Sequence, residues 1–191
     1  MLTPILNLLR SCCRSNRKAQ IELYDVFVQR FYATAFRITG CREDAEEVVH
    51  DAFMKIFDKL ELQGMPISDT DSAAYAWMKA TVVNAAIDCL RRRGPIAEEL
   101  TANLAWDGTA DDGASDDRED YSSLTVEAVR EACSRLPDSS RIVLSLYLFE
   151  GYDHEEIAEI LNVRPSTARV QYMRARKKLI ELLPPEFQKR K

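Results

Sequence analysis

The residues that could support catalysis or metal binding are few and scattered. Two histidines, His50 and His154, lie far apart, and the five cysteines (Cys12, Cys13, Cys41, Cys89, Cys133) include no CxxC pair. Zinc-ligand spacing is therefore absent. Six glycines form no phosphate-cradling loop. The pattern predicts no metal, no cofactor and no enzymatic step. Adjacent Cys12 and Cys13 read as incidental, and an odd number of thiols fits a reducing, cytoplasmic setting. What the residues do offer is recognition of a polyanion. From Arg164 to Lys178 there are six bases and no acid. Arginine pairs with guanine through two hydrogen bonds, and lysine and arginine neutralise phosphates.

The overall charge of −5 conflicts with that reading until it is located. Nine acids and one arginine between Ala97 and Asp120 give that segment −8, so the rest of the chain carries +3. The basic footprint concentrates at Arg91 to Arg93 and from Arg164 to Lys178. Like charges extend a segment rich in Asp, Gly, Ala and Ser, so 95–122 is expected to be a flexible acidic linker. It separates a helical domain over 1–94 from a second over 123–191. Most of the chain has the period of a helix, and the 46% hydrophobic content is enough to bury two small cores. The fold class is all-α. No apolar run reaches the roughly 20 residues that span a bilayer. Leu2 to Leu9 lacks preceding bases and is expected to be a first amphipathic helix, not a secretory signal.

The elements that must position the basic residues follow from the spacing. A helix over about 19–38 buries Leu23, Phe27, Phe31, Ala35 and Ile38, and Gly40 ends it. The next buries Ala45, Val48, Val49, Ala52, Phe53, Ile56, Phe57 and Leu60, with Glu43, Asp44, Glu46, Glu47, His50, Asp51 and Lys55 on its polar face. A third runs from about Ser72 to Arg92. Its terminal arginines suit either the helix dipole or a phosphate. In the second domain a helix capped by Ser122 or Ser123 runs to Arg135. Another, from Ser139 to Phe149, buries Ile142, Val143, Leu146 and Tyr147. Gly151 ends it.

A helix-turn-helix then spans Asp153 to Leu179. Ile157, Ala158 and Leu161 form the inner face of its first helix. Asn162 tolerates the left-handed turn, Val163 plugs it, and Pro165 opens the second helix. Ala168, Tyr172, Ala175 and Leu179 make that helix's buried stripe. Arg169, Val170, Met173 and Arg174 are expected to read bases, with Val170 and Met173 exposed for thymine methyl groups. Arg164, Thr167, Arg176, Lys177 and Lys178 are expected to meet phosphates.

Three regions of the chain resemble a known family. TGCREDAEEVVHDAF (39–53) is similar to the core-binding segment of extracytoplasmic-function (ECF) RNA polymerase sigma factors. WMKATVVNAAIDCLRR (77–92) resembles their promoter-melting helix. Leu136-Pro-Asp, EGYDHEEIAEIL (150–161) and RARKKL (174–179) resemble their C-terminal domain, the second of these in a form that looks like members from the Bacteroidetes. The resemblance implies a transcription initiation factor without catalysis. In it Glu47, His50 and Asp51 touch core RNA polymerase, and Asn84, Arg91 and Arg92 lie at the minus-10 element, where a base is flipped from the stack. The recognition helix enters the minus-35 element of promoter DNA. Glu61 to Ser72 corresponds to a variable specificity loop. An anti-sigma factor, often from the inner membrane, is the expected inhibitory partner. The residues alone leave other readings open: Glu47, His50 and Asp51 as solvated surface charge, and Asn84 bonded within its own domain. Trp77 is expected in the core, Asp88 to orient Arg91 or Arg92, and His154 to be structural. Ser166 and Gln171 depart from the family's usual residues and leave the upstream preference open. The alternative function is a helix-turn-helix regulator with an N-terminal sensing domain.

Overall fold

The computed structural model describes residues 5–14, 16–64, 70–94 and 126–184. The acidic segment 97–120, Ser122, Ser123 and residues 65–69 of the expected specificity loop lie outside the described residues. Among the described residues every element is helical and no strand occurs. The chain divides into two compact units, Met1–Gly94 and Pro95–Lys191.

The first unit packs four helices: α1 (Ile5–Cys12), α2 (Arg17–Thr39), α3 (Arg42–Gln63) and α4 (Asp71–Arg93). Asn16 caps α2, its side chain accepting from the backbone N–H groups of Lys18 and Ala19. Gly40 ends it at φ 67°, a left-handed conformation that glycine adopts without steric cost. Thr70 caps α4 by accepting from the Ala73 N–H. The core is aromatic at its centre. Phe31 is fully buried and stacks on Phe27 at 5.5 Å between ring centroids, with Phe53 at 5.6 Å and Tyr75 at 6.1 Å. These rings come from α2, α3 and α4, so Phe31 is the point where the three helices meet. The short α1 closes the bundle through Leu8 and Leu9, and its Leu6 N–H donates to the Asp71 carboxylate at 2.9 Å. Cys12 is buried and its thiol is pushed up to about 11, chiefly by desolvation, which keeps it protonated and unreactive.

The second unit contains α5 (Val126–Ser134), α6 (Asp138–Leu144), which continues as one π-helical turn over Ser145–Phe149, α7 (His154–Leu161) and α8 (Pro165–Leu182). Ala132, Leu136, Leu144, Ala175, Leu179 and Leu183 form one buried cluster beneath α8. Arg141 is buried and holds the α5–α6 corner: it donates to the Leu136 carbonyl at 3.1 Å and to the Asp138 carboxylate at 2.6 Å. A buried guanidinium is tolerated only when its donors are satisfied in this way.

Some expectations about burial need correction, beginning with Phe57 of α3, which is half-buried and outside the core. Tyr147 is not core: it is 37% exposed, because the π turn slips the helical phase just where the 3.6-residue period would bring it inward. Trp77 is half-buried and not in the core.

Because Phe31 touches rings from two other helices, Phe31→Ala should cost the first unit about 3–5 kcal/mol. Urea unfolding checks this, and a loss below about 1 kcal/mol would show that the aromatic hub does not hold the bundle.

Candidate nucleic-acid interface

The second unit builds its interface on a pair of helices with defined caps. Asp153 begins α7 with a capping box: its carboxylate accepts from the Glu155 and Glu156 N–H groups, both at 2.8 Å, and its own N–H donates to Glu156 Oε2 at 2.8 Å. Asn162 ends α7 at φ 56°, ψ 50°, the one positive-φ non-glycine residue among those described. The Val163 N–H then reaches back to the Ala158 carbonyl at 2.9 Å. That bond reverses the chain within one turn. Pro165 opens α8 with φ already set for a helix. Ala158 is buried between the helices, where a small side chain lets the two backbones approach.

Burial fixes which face of α8 is presented. Thr167, Ala168, Gln171, Ala175 and Leu179 are buried. Arg169, Met173, Arg176, Lys177 and Lys178 are exposed, as is Arg164 just before the helix. Thr167 is therefore not a phosphate contact: at 3% exposure its side chain belongs to the packed stripe. Val170 is half-buried and not the open apolar surface expected of it. Arg174 is also half-buried, at the border of the exposed face beside Gln171. Gln171 itself is 4% exposed, so its departure from the usual basic residue removes no surface cation here. Ser166 is exposed on the same side as Arg169 and Met173, and residue type alone did not single it out.

His154 locks this pair to the preceding turn. Its ring stacks on Tyr147 at 4.8 Å and 14°, and meets Tyr172 of α8 at 5.2 Å, while the two tyrosines lie 4.4 Å apart. Tyr172 is correspondingly half-buried and spans the buried stripe and the surface. Desolvation, and then the Arg169 charge, lower the His154 pKa from its ordinary 6.5, and Asp153 opposes them. The start of α7 carries positive dipole and adds to the cost of a cation there.

In the first unit, α4 is enclosed by α1, α2 and α3. Ala74, Met78, Val82, Val83, Ala85, Ala86, Ile87, Cys89 and Leu90 are buried. One outward stripe runs the length of the helix: Trp77, Thr81, Asn84, Asp88 and Arg91 step by four, three, four and three residues, and none of them is buried. Asn84 is exposed, and no hydrogen bond of its side chain occurs among the described residues. Asp88 pairs with Arg91 at 3.3 Å. On α3, Glu47 and His50 are exposed and Asp51 is half-buried. Glu47 lies 3.7 Å from Arg92. Asp44 leaves the solvated face expected for it: only 17% of its side chain is exposed, and it pairs with Arg93.

The His154 cluster gives a pH expectation. A folded-state pKa below the unfolded one means that protonation favours the unfolded chain, so this contribution to stability is present above pH 6.5 and is lost as pH falls below it. Between pH 7.5 and 5, His154→Phe should therefore lose less of the second unit's urea resistance than the parent. Parallel pH profiles for the two proteins would mean that the His154 ring carries none of this pH dependence.

Comparison with known proteins agrees with this geometry. Residues 23–96 match the Sigma-70 region 2 model and residues 126–179 match Sigma-70, region 4. The chain is 25% identical over 162 residues to the ECF RNA polymerase sigma factor SigE of Mycolicibacterium smegmatis, covering 85% of this chain but 60% of that protein. It is 29% identical over 179 residues to the RNA polymerase sigma-H factor of Pseudomonas aeruginosa, covering 90% of each. In fold it is similar to the sigma factor RpoE of Bartonella quintana, solved in complex with the anti-sigma factor NepR, with a TM-score of 0.51, 23% identity and coverage of 83% of this chain and 92% of that one. With region 2 on its first unit and region 4 on its second, the chain belongs to the sigma-70 family of RNA polymerase sigma factors, on the extracytoplasmic-function branch.

Proposed function

We propose that this chain brings core RNA polymerase to promoters by reading DNA at two points, one with each unit. The observation that carries this reading is the exposed face of α8, where Arg169 and Met173 stand opposite a fully buried stripe with Arg176, Lys177 and Lys178 beyond them. A major groove admits one helix, and the N-terminal part of the second helix of such a pair meets the bases. Arg169, Met173 and the rim residues Val170 and Arg174 read the minus-35 element. Arg164, Arg176, Lys177 and Lys178 neutralise phosphates and set the register.

The first unit takes the minus-10 element along the α4 stripe. Asn84 faces an unstacked base, and Arg91 and Arg92 face phosphate. Glu47, His50 and Asp51, one and two turns into α3, dock on core polymerase. The linker 95–122 sets the reach between the two points. The work is done in the cytoplasm, in keeping with unpaired cysteines throughout the described residues. Among those residues no helix is long and apolar enough to cross a membrane. An anti-sigma factor, as in the Bartonella quintana complex, is the inhibitory partner.

Two measurements separate the parts. Arg169→Ala should cost roughly 1–3 kcal/mol in binding of minus-35 duplex and relax specificity at one base position. An equal loss on every sequence would make Arg169 a phosphate contact. Replacing Glu47, His50 and Asp51 together with alanine should weaken capture of core polymerase about tenfold or more, which is roughly 1.4 kcal/mol, and leave the preference for minus-35 over unrelated duplex unchanged. Undiminished capture would move the docking surface elsewhere.

A further inference from the structure

The end of α4 carries three consecutive arginines, and each meets an acid: Arg91 pairs with Asp88, Arg92 with Glu47 and Arg93 with Asp44. The second and third pairs cross from α4 to α3. Their geometry follows from the antiparallel hairpin, which sets the positive start of α3 beside the negative end of α4. Acids are favoured at the first position and arginines at the second, before any pairing. The two cross-helix pairs differ in kind. Asp44 is largely buried beside Arg93. Glu47 and Arg92 are each about 60% exposed and stand 3.7 Å apart. Such a pair is weak, easily exchanged and sensitive to salt.

We propose that Glu47 is a releasable lock on Arg92: in the unbound protein it occupies the guanidinium, and a partner that takes the Glu47 carboxylate frees Arg92 for phosphate. The inference rests on the proposed roles of Glu47 in docking and Arg92 in DNA contact. It adds that the two roles are mutually exclusive inside the free chain and cooperative in the complex. Coupling is reciprocal, so DNA on Arg92 also exposes Glu47 to its partner. A surface presenting cationic or N–H donor groups is the chemistry that would compete for Glu47.

The test uses the full chain without polymerase and a fluorescein-labelled single-stranded oligonucleotide, followed by anisotropy across a salt series. Glu47→Gln should tighten binding roughly two- to fivefold, the range of one exposed ion pair. It should also steepen the salt dependence by up to about 0.7 in log–log slope, one extra phosphate on a single strand. Glu46→Gln is the control. It removes the same charge from the same helix, but its partner is Arg42 at 3.0 Å, away from the triplet. It should give a smaller gain, and Glu47→Gln combined with Arg92→Ala should give none. Equal gains from E46Q and E47Q would reduce the effect to net charge and overturn the lock, as would a gain that survives loss of Arg92. If R92A weakens binding yet E47Q brings no gain, the lock alone fails. If R92A changes nothing with or without E47Q, Arg92 does not face DNA, and that part of the proposed function fails with it.

Discussion

The enclosure of α4 is the constraint on which the first unit depends. Three helices cover it, and nine of its side chains are buried. A helix surrounded this closely leaves a narrow outward stripe along its length, and Trp77, Thr81, Asn84, Asp88 and Arg91 lie on it. Moving Asn84 or Asp88 by one position would drive a polar group into the core at a cost of several kcal/mol, since Val83, Ala85, Ile87 and Cys89 on either side are all buried. Packing therefore dictates that the residues facing outward form a line about 20 Å long, at 1.5 Å per residue. A rigid line of polar groups ending in cations is suited to a strand of nucleic acid. It is held by the aromatic hub at Phe31, which touches α3 and α4 from α2.

The second unit reaches the same result by a different route. Its helices are shorter, and its interface depends on the turn between α7 and α8. Asn162 in the left-handed region and the 2.9 Å bond from Val163 to Ala158 fix how α8 leaves the turn. The stacked rings of Tyr147, His154 and Tyr172 then tie α8 to both preceding elements. Arg169 projects from a helix whose rotation is set by a buried stripe below and a ring cluster beside it. A helix held in this way loses little further freedom on meeting DNA, which lowers the entropic cost of recognition.

Features written in local sequence were legible before any coordinates. Leu23, Phe27, Phe31, Ala35 and Ile38 repeat with the helical period and are all buried. Gly40, Asn162 and Pro165 signal their turns because their backbone preferences are strong and local. The misreadings have equally physical causes. Thr167 is short and amphipathic, so its type does not tell an inward hydroxyl from an outward one. Tyr147 falls on a π turn, where the wider helix breaks the period used to place it. Asp44 shares its residue type with the exposed acids around it, and only the approach of Arg93, forty-nine residues later, distinguishes it. The pairing of Arg92 with Glu47 is non-local in the same way, and no spacing rule within one helix contains it.

If the two faces act together on one polymerase, reconstituted transcription reports it directly. Purified core polymerase is mixed with fragmented genomic DNA, with and without this chain, and transcript starts are mapped. Discrete starts that need the chain are expected, each preceded by the same two sequence blocks at a fixed spacing. Duplex binding by the chain without any chain-dependent transcript, from a polymerase shown to be active with another initiation factor, would contradict this joint action.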